Sequence, residues 1–407
     1  MKGNKKICKN YLNGICIYGN KCFYSHDVPN KFNSDFNKNK KPKSSENDSG
    51  KLEYLNTIEE HNQNIDNIIA LNDSNYLTSD INEFYIRTIG MNNSNKENFE
   101  KDSKINKVIY SSGKIIFAVE NNNINGNNEK AKSYSLKMAI KINNQIQLVS
   151  TNIDKKPYDI YESGNVIIIV GQNFIELYKF DENNNTITKI SEINLSNNND
   201  NNDNKLKILC MEAVNKVLVC GHSSGHISFW EPTNEYPYLK NTLISKIHIG
   251  PINKILFDKN SDNTNIIISC SSDKTVKIHS LEEIVCFNVV NFNDEVVDIK
   301  KIKNLKEEIN YIISLKDGTL KVFNYELKEI FEIPNRTKVN IARYAINISH
   351  SNNNENENNN NKEEYILITE GNKIDVYKWA KEKIDSQNNL NNKNKRKNKY
   401  NNKRNKW

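Results

Sequence analysis

VLVCGHSSGHISFW (217–230), IIISCSSDKTVKIH (266–279), YIISLKDGTLKVF (311–323) and YILITEGNKIDVY (365–377) are four copies of one pattern. A short apolar run leads into a tight turn, and an alternating run follows that closes on a ring-bearing residue. Runs of this length, rich in Ile and Val and bounded by turn residues, read as strands. Ser224-Gly225, Asp273-Lys274, Asp317-Gly318 and Gly371-Asn372 lie between the paired runs, with the chemistry of hairpin turns. Three weaker copies come earlier. VIIIVGQNFIELY (166–178) turns at Gln172-Asn173. VIYSSGKIIFAVENN (108–122) and SYSLKM (133–138) flank an Asn-rich insert where a tight turn is expected, and IIALNDSNYLTSDINEFYIR (68–87) forms the first copy.

The residues that end these hairpins are Arg87, Lys137, Tyr178, Trp230, His279, Phe323 and Tyr377, spaced about 41–54 residues apart. That period fits a four-stranded propeller blade of ~40–45 residues lengthened by polar inserts, and seven copies predict seven blades. The copies resemble WD repeats, although Trp-Asp appears only as Trp230-Glu231. The resemblance implies a buried hydrogen bond from His248, four residues before Ile252, to Asp273 in the following turn. His61 and Ile65 begin the first repeat in the same way. A lone strand, LEYLNTI (52–58), precedes the repeats, and the last repeat lacks its outer strand. Residues 52–58 are therefore expected to complete the final blade and leave no open sheet edge.

Of the 407 residues, 76 are Asn, many in NNNINGNNEK, SNNNDNNDN and SNNNENENNNN. Such segments cannot bury a core, and they read as disordered inserts between folded strands. No apolar run approaches the ~18 residues of a membrane span, and no apolar stretch follows the basic N-terminus as a secretory signal requires. Seven Cys, three of them near the start and four scattered through strands, make no disulfide framework and point to a reducing compartment, nuclear or cytoplasmic.

Residues 8–26 read CKNYLNGICIYGNKCFYSH. Cys8, Cys16, Cys22 and His26 place three thiolates and one imidazole within 19 residues, a donor set suited to one tetrahedral, structural Zn²⁺. A peptide this short has no core, so metal binding must supply its folding free energy, on the order of 10–16 kcal/mol in comparable peptides. The segment resembles a CCCH-type zinc finger. The resemblance implies binding of single-stranded RNA, with Tyr11, Tyr18 and Tyr24 stacking on unpaired bases and Lys9 and Lys21 meeting phosphates. The same tyrosines would also serve a purely structural finger that contacts protein.

Charge is unevenly spread. Residues 1–50 hold ten Lys against four acids, and residues 381–407 hold ten Lys or Arg against two acids, in a chain of net charge +7. The ends are basic and the body is acidic, so a polyanion meets the ends. Lys393–Lys399, centred on Lys395-Arg396-Lys397, reads as an import-like or nucleic-acid-contacting tail. His222, His226 and His279 read as structural, and Cys210, Cys220, Cys270 and Cys286 as small apolar residues in strands. With no phosphate loop or nucleophile elbow, no enzyme is expected.

The expected organisation is a CCCH finger (1–29), a flexible basic linker (30–50), a mostly β, seven-bladed WD-repeat β-propeller (51–381) and a disordered basic tail (382–407). This combination resembles the zinc-finger/WD-repeat proteins best known from plants. The function expected from it is a non-enzymatic RNA-binding adaptor, with single-stranded RNA on the finger and protein partners on the propeller. Membrane and small-molecule partners are not expected. The alternative is a protein–protein scaffold or substrate-recruiting subunit with a structural finger.

Overall fold

The structure is a computed structural model. It describes residues 52–59, 61–80, 83–89, 94–98, 103–124, 130–142, 145–195, 207–214, 216–259, 263–304, 308–336, 341–351 and 362–379. The expected finger, linker and basic tail lie outside these residues, as do most of the Asn-rich inserts.

Seven four-stranded antiparallel sheets are present. Blade 1 holds β2 (Asn67–Ala70), β3 (Asn75–Ser79), β4 (Glu83–Thr88) and β5 (Ser94–Asn98); blade 2 holds β6 (Ser103–Ser111), β7 (Lys114–Ile124), β8 (Lys130–Ile142) and β9 (Gln145–Ile153). Blade 3 holds β10 (Pro157–Ser163), β11 (Val166–Gly171), β12 (Phe174–Asp181) and β13 (Thr186–Asn194). Blade 4 holds β14 (Ile208–Val214), β15 (Val217–His222), β16 (His226–Pro232) and β17 (Leu239–Lys246). Blade 5 holds β18 (Ile252–Lys259), β19 (Asn265–Ser271), β20 (Thr275–Ser280) and β21 (Cys286–Asn291). Blade 6 holds β22 (Val296–Lys303), β23 (Ile309–Leu315), β24 (Leu320–Asn324) and β25 (Glu329–Ile333). Blade 7 takes β26 (Ala345–Ser351), β27 (Lys362–Glu370) and β28 (Lys373–Trp379) from one end of the chain and β1 (Leu52–Glu59) from the other.

The first strands pack side by side in order around the ring, and β26 returns to β2. Closure is made by β1 on β28, with Leu52 opposite Trp379 and Glu59 opposite Lys373. The Thr57 hydroxyl donates to Asp375 Oδ1 at 2.5 Å, and the Tyr54 and Tyr377 rings meet edge to face at 5.7 Å. The expected completing strand is thus real. It covers the β28 edge that a three-stranded blade 7 would leave bare.

The hairpin-ending residues are structurally equivalent. Arg87, Lys137, Tyr178, Trp230, His279, Phe323 and Tyr377 all lie on third strands, opposite Tyr76, Phe117, Ile167, Leu218, Ile267, Tyr311 and Ile366 of the second. In blades 3 to 6 the pairing to the outer strand bulges at this residue, which locally raises strand twist. Period-2 alternation turns the residue two positions earlier to the same face. Tyr178 donates to Glu176 at 2.8 Å, and the Trp230 indole donates to Ser228 at 2.9 Å.

One expectation needs correction. NNNI (121–124) belongs to β7, where Asn121 pairs with Ser133 and Ile124 with Lys130, so the hairpin runs on through part of the Asn-rich insert. Asn121 accepts from Ser103 Oγ at 3.0 Å and donates to Ser135 Oγ at 3.1 Å. Asn is tolerated there because its amide is satisfied on both sides by short hydroxyl side chains.

Blade 7 carries a latch that repeat spacing does not announce. Arg343 is wholly buried; it pairs with Glu370 and donates to the carbonyls of Gly318 (2.5 Å), Ile333 (3.0 Å) and Pro334 (3.2 Å). It thereby ties blade 6 to blade 7. Arg343→Met removes this buried ion pair and the hydrogen bonds to three carbonyls and should cost about 3–5 kcal/mol in equilibrium denaturation. Adding Glu370→Leu should recover only part of that loss, because three carbonyls still lack their donor.

Candidate nucleic-acid and protein interfaces

Strand polarity divides the propeller into two faces. Connections between blades, and the turns joining second to third strands, lie on one face, here termed upper. Turns joining first to second and third to fourth strands lie on the lower face. Because Leu52 pairs with Trp379 at the lower end of blade 7, the described chain enters and leaves the propeller there, side by side.

The upper face is held by His–Asp latches. His248 Nδ1 lies 2.9 Å from Asp273 Oδ2, and its Nε2 lies 2.8 Å from Ser269 Oγ. Asp273 also accepts from the Ile249 amide at 3.0 Å and from Thr275 Oγ1 at 2.6 Å. The bond implied by the resemblance is therefore present. His61 makes the same latch, with Nδ1 3.1 Å from Asp80 and Nε2 2.9 Å from Thr78. Asp80 carries no signal in the sequence, because the turn around it lacks the Asp-Lys or Asp-Gly signature. The blade 4 turn closes against His248 as well: Gly225 takes φ +79°, and a Cβ there would sit 2.2 Å from the His248 carbonyl oxygen, so only glycine fits. These anchors fix Ile249, which is 87% exposed on the upper face.

A cavity of ≈ 530 Å³ runs among the first strands and includes Lys107, Asp159, Glu212, Lys254, Asp298 and Lys300 in its lining. Lys107 pairs with Asp159 at 3.1 Å, and the Met211 amide donates to Asp159 at 3.1 Å. Burial opposes ionisation of Asp159, but Lys107 and Lys254 outweigh it and hold the carboxyl below its ordinary range. Burial likewise opposes the Lys254 charge, and Asp159, Glu212 and Asp298 outweigh it and keep the ammonium protonated. Asp159 and Lys254 thus support each other's charge in a lining where carboxylates, Asp66 and Glu162 among them, outnumber lysines. The neighbouring Cys210 thiol is pushed up to about 12 by burial, which removes it as a nucleophile at neutral pH.

His222 bonds Ser228 Oγ at 2.7 Å, and His226 lies 2.9 Å from Ser224 Oγ. Cys210, Cys220 and Cys270 are buried and Cys286 is half-buried, all as free thiols. Among the described residues no cluster of three or more His, Cys, Asp or Glu could hold a metal. No helix among them is long and apolar enough to cross a membrane.

The residues read as the metal and RNA site, Cys8, Cys16, Cys22, His26, Tyr11, Tyr18, Tyr24, Lys9 and Lys21, all lie outside the described residues. Their donor chemistry still fits zinc. Three thiolates and one imidazole complete a tetrahedron without water.

Residues 6–27 match the family model of the CCCH-type zinc finger. That family implies zinc binding. The described residues form a seven-bladed propeller that resembles WD40 domains. The crystal structure of the WD40 β-propeller domain of Doa1 superposes with a TM-score of 0.56 at 13% identity, over 82% of this chain and 98% of that one. The structure of Saccharomyces cerevisiae Sqt1 superposes with a TM-score of 0.55 at 11% identity, over 81% of this chain and 99% of that one. Identities this low establish the fold alone. No curated protein matches the chain.

Burial holds the His279 imidazole down at about 3, with His248 and Lys277 adding to the effect; burial also lowers His248. Both rings are neutral in the fold at a pH where a free imidazole, of ordinary value 6.5, takes a proton. The unfolded chain therefore binds more protons below that point, and stability falls as pH drops from 6.5 toward 3. His279 alone should cost about 1.5 kcal/mol between its unfolded pKa and about pH 5. His279→Phe, which copies Phe323 of blade 6, should flatten that slope in denaturation series run across pH.

Proposed function

We propose that the chain is a non-enzymatic, zinc-dependent adaptor in which the finger binds single-stranded RNA and the propeller recruits protein partners. The observation that carries this reading is the finger match over residues 6–27 joined to a closed propeller. Cys8, Cys16, Cys22 and His26 would hold one structural Zn²⁺. The metal supplies the rigidity that a coreless peptide lacks. Tyr11, Tyr18 and Tyr24 then offer planar faces to unpaired bases, while Lys9 and Lys21 meet phosphates.

The adjacency of Leu52 and Trp379 supports a division of labour. The finger, its linker (30–50) and the basic tail (382–407) are all tethered at the lower face. The upper face, with the exposed Ile249 in a connection between blades, stays open to protein. The buried free thiols of Cys210, Cys220 and Cys270 agree with a reducing compartment, nuclear or cytoplasmic. The exposed Ile249 serves equally a second reading in which the chain is a protein scaffold and the finger is structural.

In-cell RNA crosslinking separates the two. Recovery should vanish in Cys16→Ser, together with one equivalent of zinc. Tyr18→Ala/Tyr24→Ala should keep the zinc and lose at least about tenfold in RNA affinity, since each stack contributes roughly 1–3 kcal/mol. Unchanged recovery in the tyrosine pair would establish the scaffold reading instead.

A further inference from the structure

The lower rim of blades 5 and 6 combines exposed apolar side chains with carboxylates. Val285 (53% exposed) and Phe287 (51%) stand at the start of β21; Tyr325 (49%) and Ile330 (45%) flank the matching turn and strand of blade 6. The two rims are continuous, because Asn288 donates to the Glu326 carbonyl at 2.9 Å. Glu282, Glu283, Glu326 and Glu329 are exposed among these residues. Glu326 pairs with Lys328, while Glu329 and Glu332 share Lys321. Exposed pairs of this kind contribute only about 0–1 kcal/mol and exchange partners readily.

The described chain ends against this rim. The Trp379 indole donates to the Lys303 carbonyl of blade 6 at 3.0 Å, and its ring meets Phe331 of β25 edge to face at 6.3 Å. Beyond Trp379, residues 381–407 hold ten Lys or Arg against two acids, with Tyr400 and Trp407 set among the cations. Lys393 comes fourteen residues after Trp379. That tether reaches roughly 45–50 Å when extended, whereas sheets stack only about 10 Å apart. Tethering alone raises the local concentration of the tail at the rim to about the millimolar range.

We propose that residues 393–407 fold back onto the lower rim of blades 5 and 6 of their own chain. Lys395, Arg396, Lys397 and Lys399 meet the rim carboxylates, and Tyr400 and Trp407 cover Val285, Phe287, Tyr325 and Ile330. The rim is an acidic, apolar seat and the tail a basic, aromatic strap that starts beside it. This contact goes beyond the adaptor reading and stands whether or not the finger binds RNA. A strap so held is withdrawn from polyanions until one competes for its cations.

Zero-length carbodiimide coupling of the full-length protein, mapped by mass spectrometry on a mixture of light and heavy isotope copies, tests it. Amide links from tail lysines should concentrate on Glu282, Glu283, Glu326 and Glu329 within one chain, and should fade at about 1 M salt, where the screening length is near 3 Å. Glu282→Lys/Glu283→Lys/Glu329→Lys should speed tryptic cleavage at Lys395–Lys399 at least about tenfold. Tyr400→Ser/Trp407→Ser changes no residue of the described strands; this variant should lower link yield severalfold. Links spread evenly over all surface carboxylates, links mainly between light and heavy copies, or cleavage rates indifferent to both variants would each overturn the proposal.

Discussion

The pairing of β1 with β28 is the constraint on which the ring depends. Six blades are built from consecutive chain, and each could add to its neighbour without limit. The seventh takes its fourth strand from Leu52–Glu59, at the far end of the propeller's own chain. That strand joins residues more than 300 positions apart, as in the Thr57–Asp375 hydrogen bond. The loop entropy of that closure is large but grows only logarithmically with length, so one ladder of hydrogen bonds with its buried rings can offset it. The closed ring then covers β28 and leaves blade 7 with one outer strand, β1, as in the other blades.

Closure also settles where function can be hung. Antiparallel pairing at the seam puts the first and last described residues next to each other, so both basic segments are tethered at one face. The other face is organised by connections between blades, fixed by His248–Asp273, by His61–Asp80 and by the Arg343–Glu370 ion pair. Burial keeps the His248 ring neutral in its latch, whereas the Arg343 guanidinium donates to four acceptors. Both solve one problem: a blade connection carries backbone polar groups that the ladders leave over, and a buried side chain must bind them. The central channel shows the same logic with ionised groups, since Asp159 and Lys254 each support the charge of the other against burial.

Much of this architecture is legible in the sequence. The seven hairpin-ending residues, located by repeat spacing, occupy one register position in seven sheets. Spacing suffices there because a second-to-third-strand hairpin is local, and its period-2 pattern and turn residues are written in consecutive chain. Asn121 reads as insert because Asn is a poor strand former on average, and only its neighbours Ser103 and Ser135 reveal that its amide is satisfied. Asp80 and Arg343 give no such signal, because their partners, His61 and Glu370, are 19 and 27 residues away and no spacing rule links them. The finger is the reverse case: its donor spacing is the whole of its signal, and the family match falls on that same segment, residues 6–27.

The sequence by itself determined the hairpins, their number, the donor set near the start and the contrast between basic ends and acidic body. Each of these is encoded within a few tens of residues, where chain connectivity already brings the groups together. Tertiary structure alone decided which side chains share a latch, that Asp159 and Lys254 meet in the channel, and that the chain enters and leaves the ring at one place. Those are relations between residues far apart in the chain, and they exist only once the ring has closed and expelled water from between them.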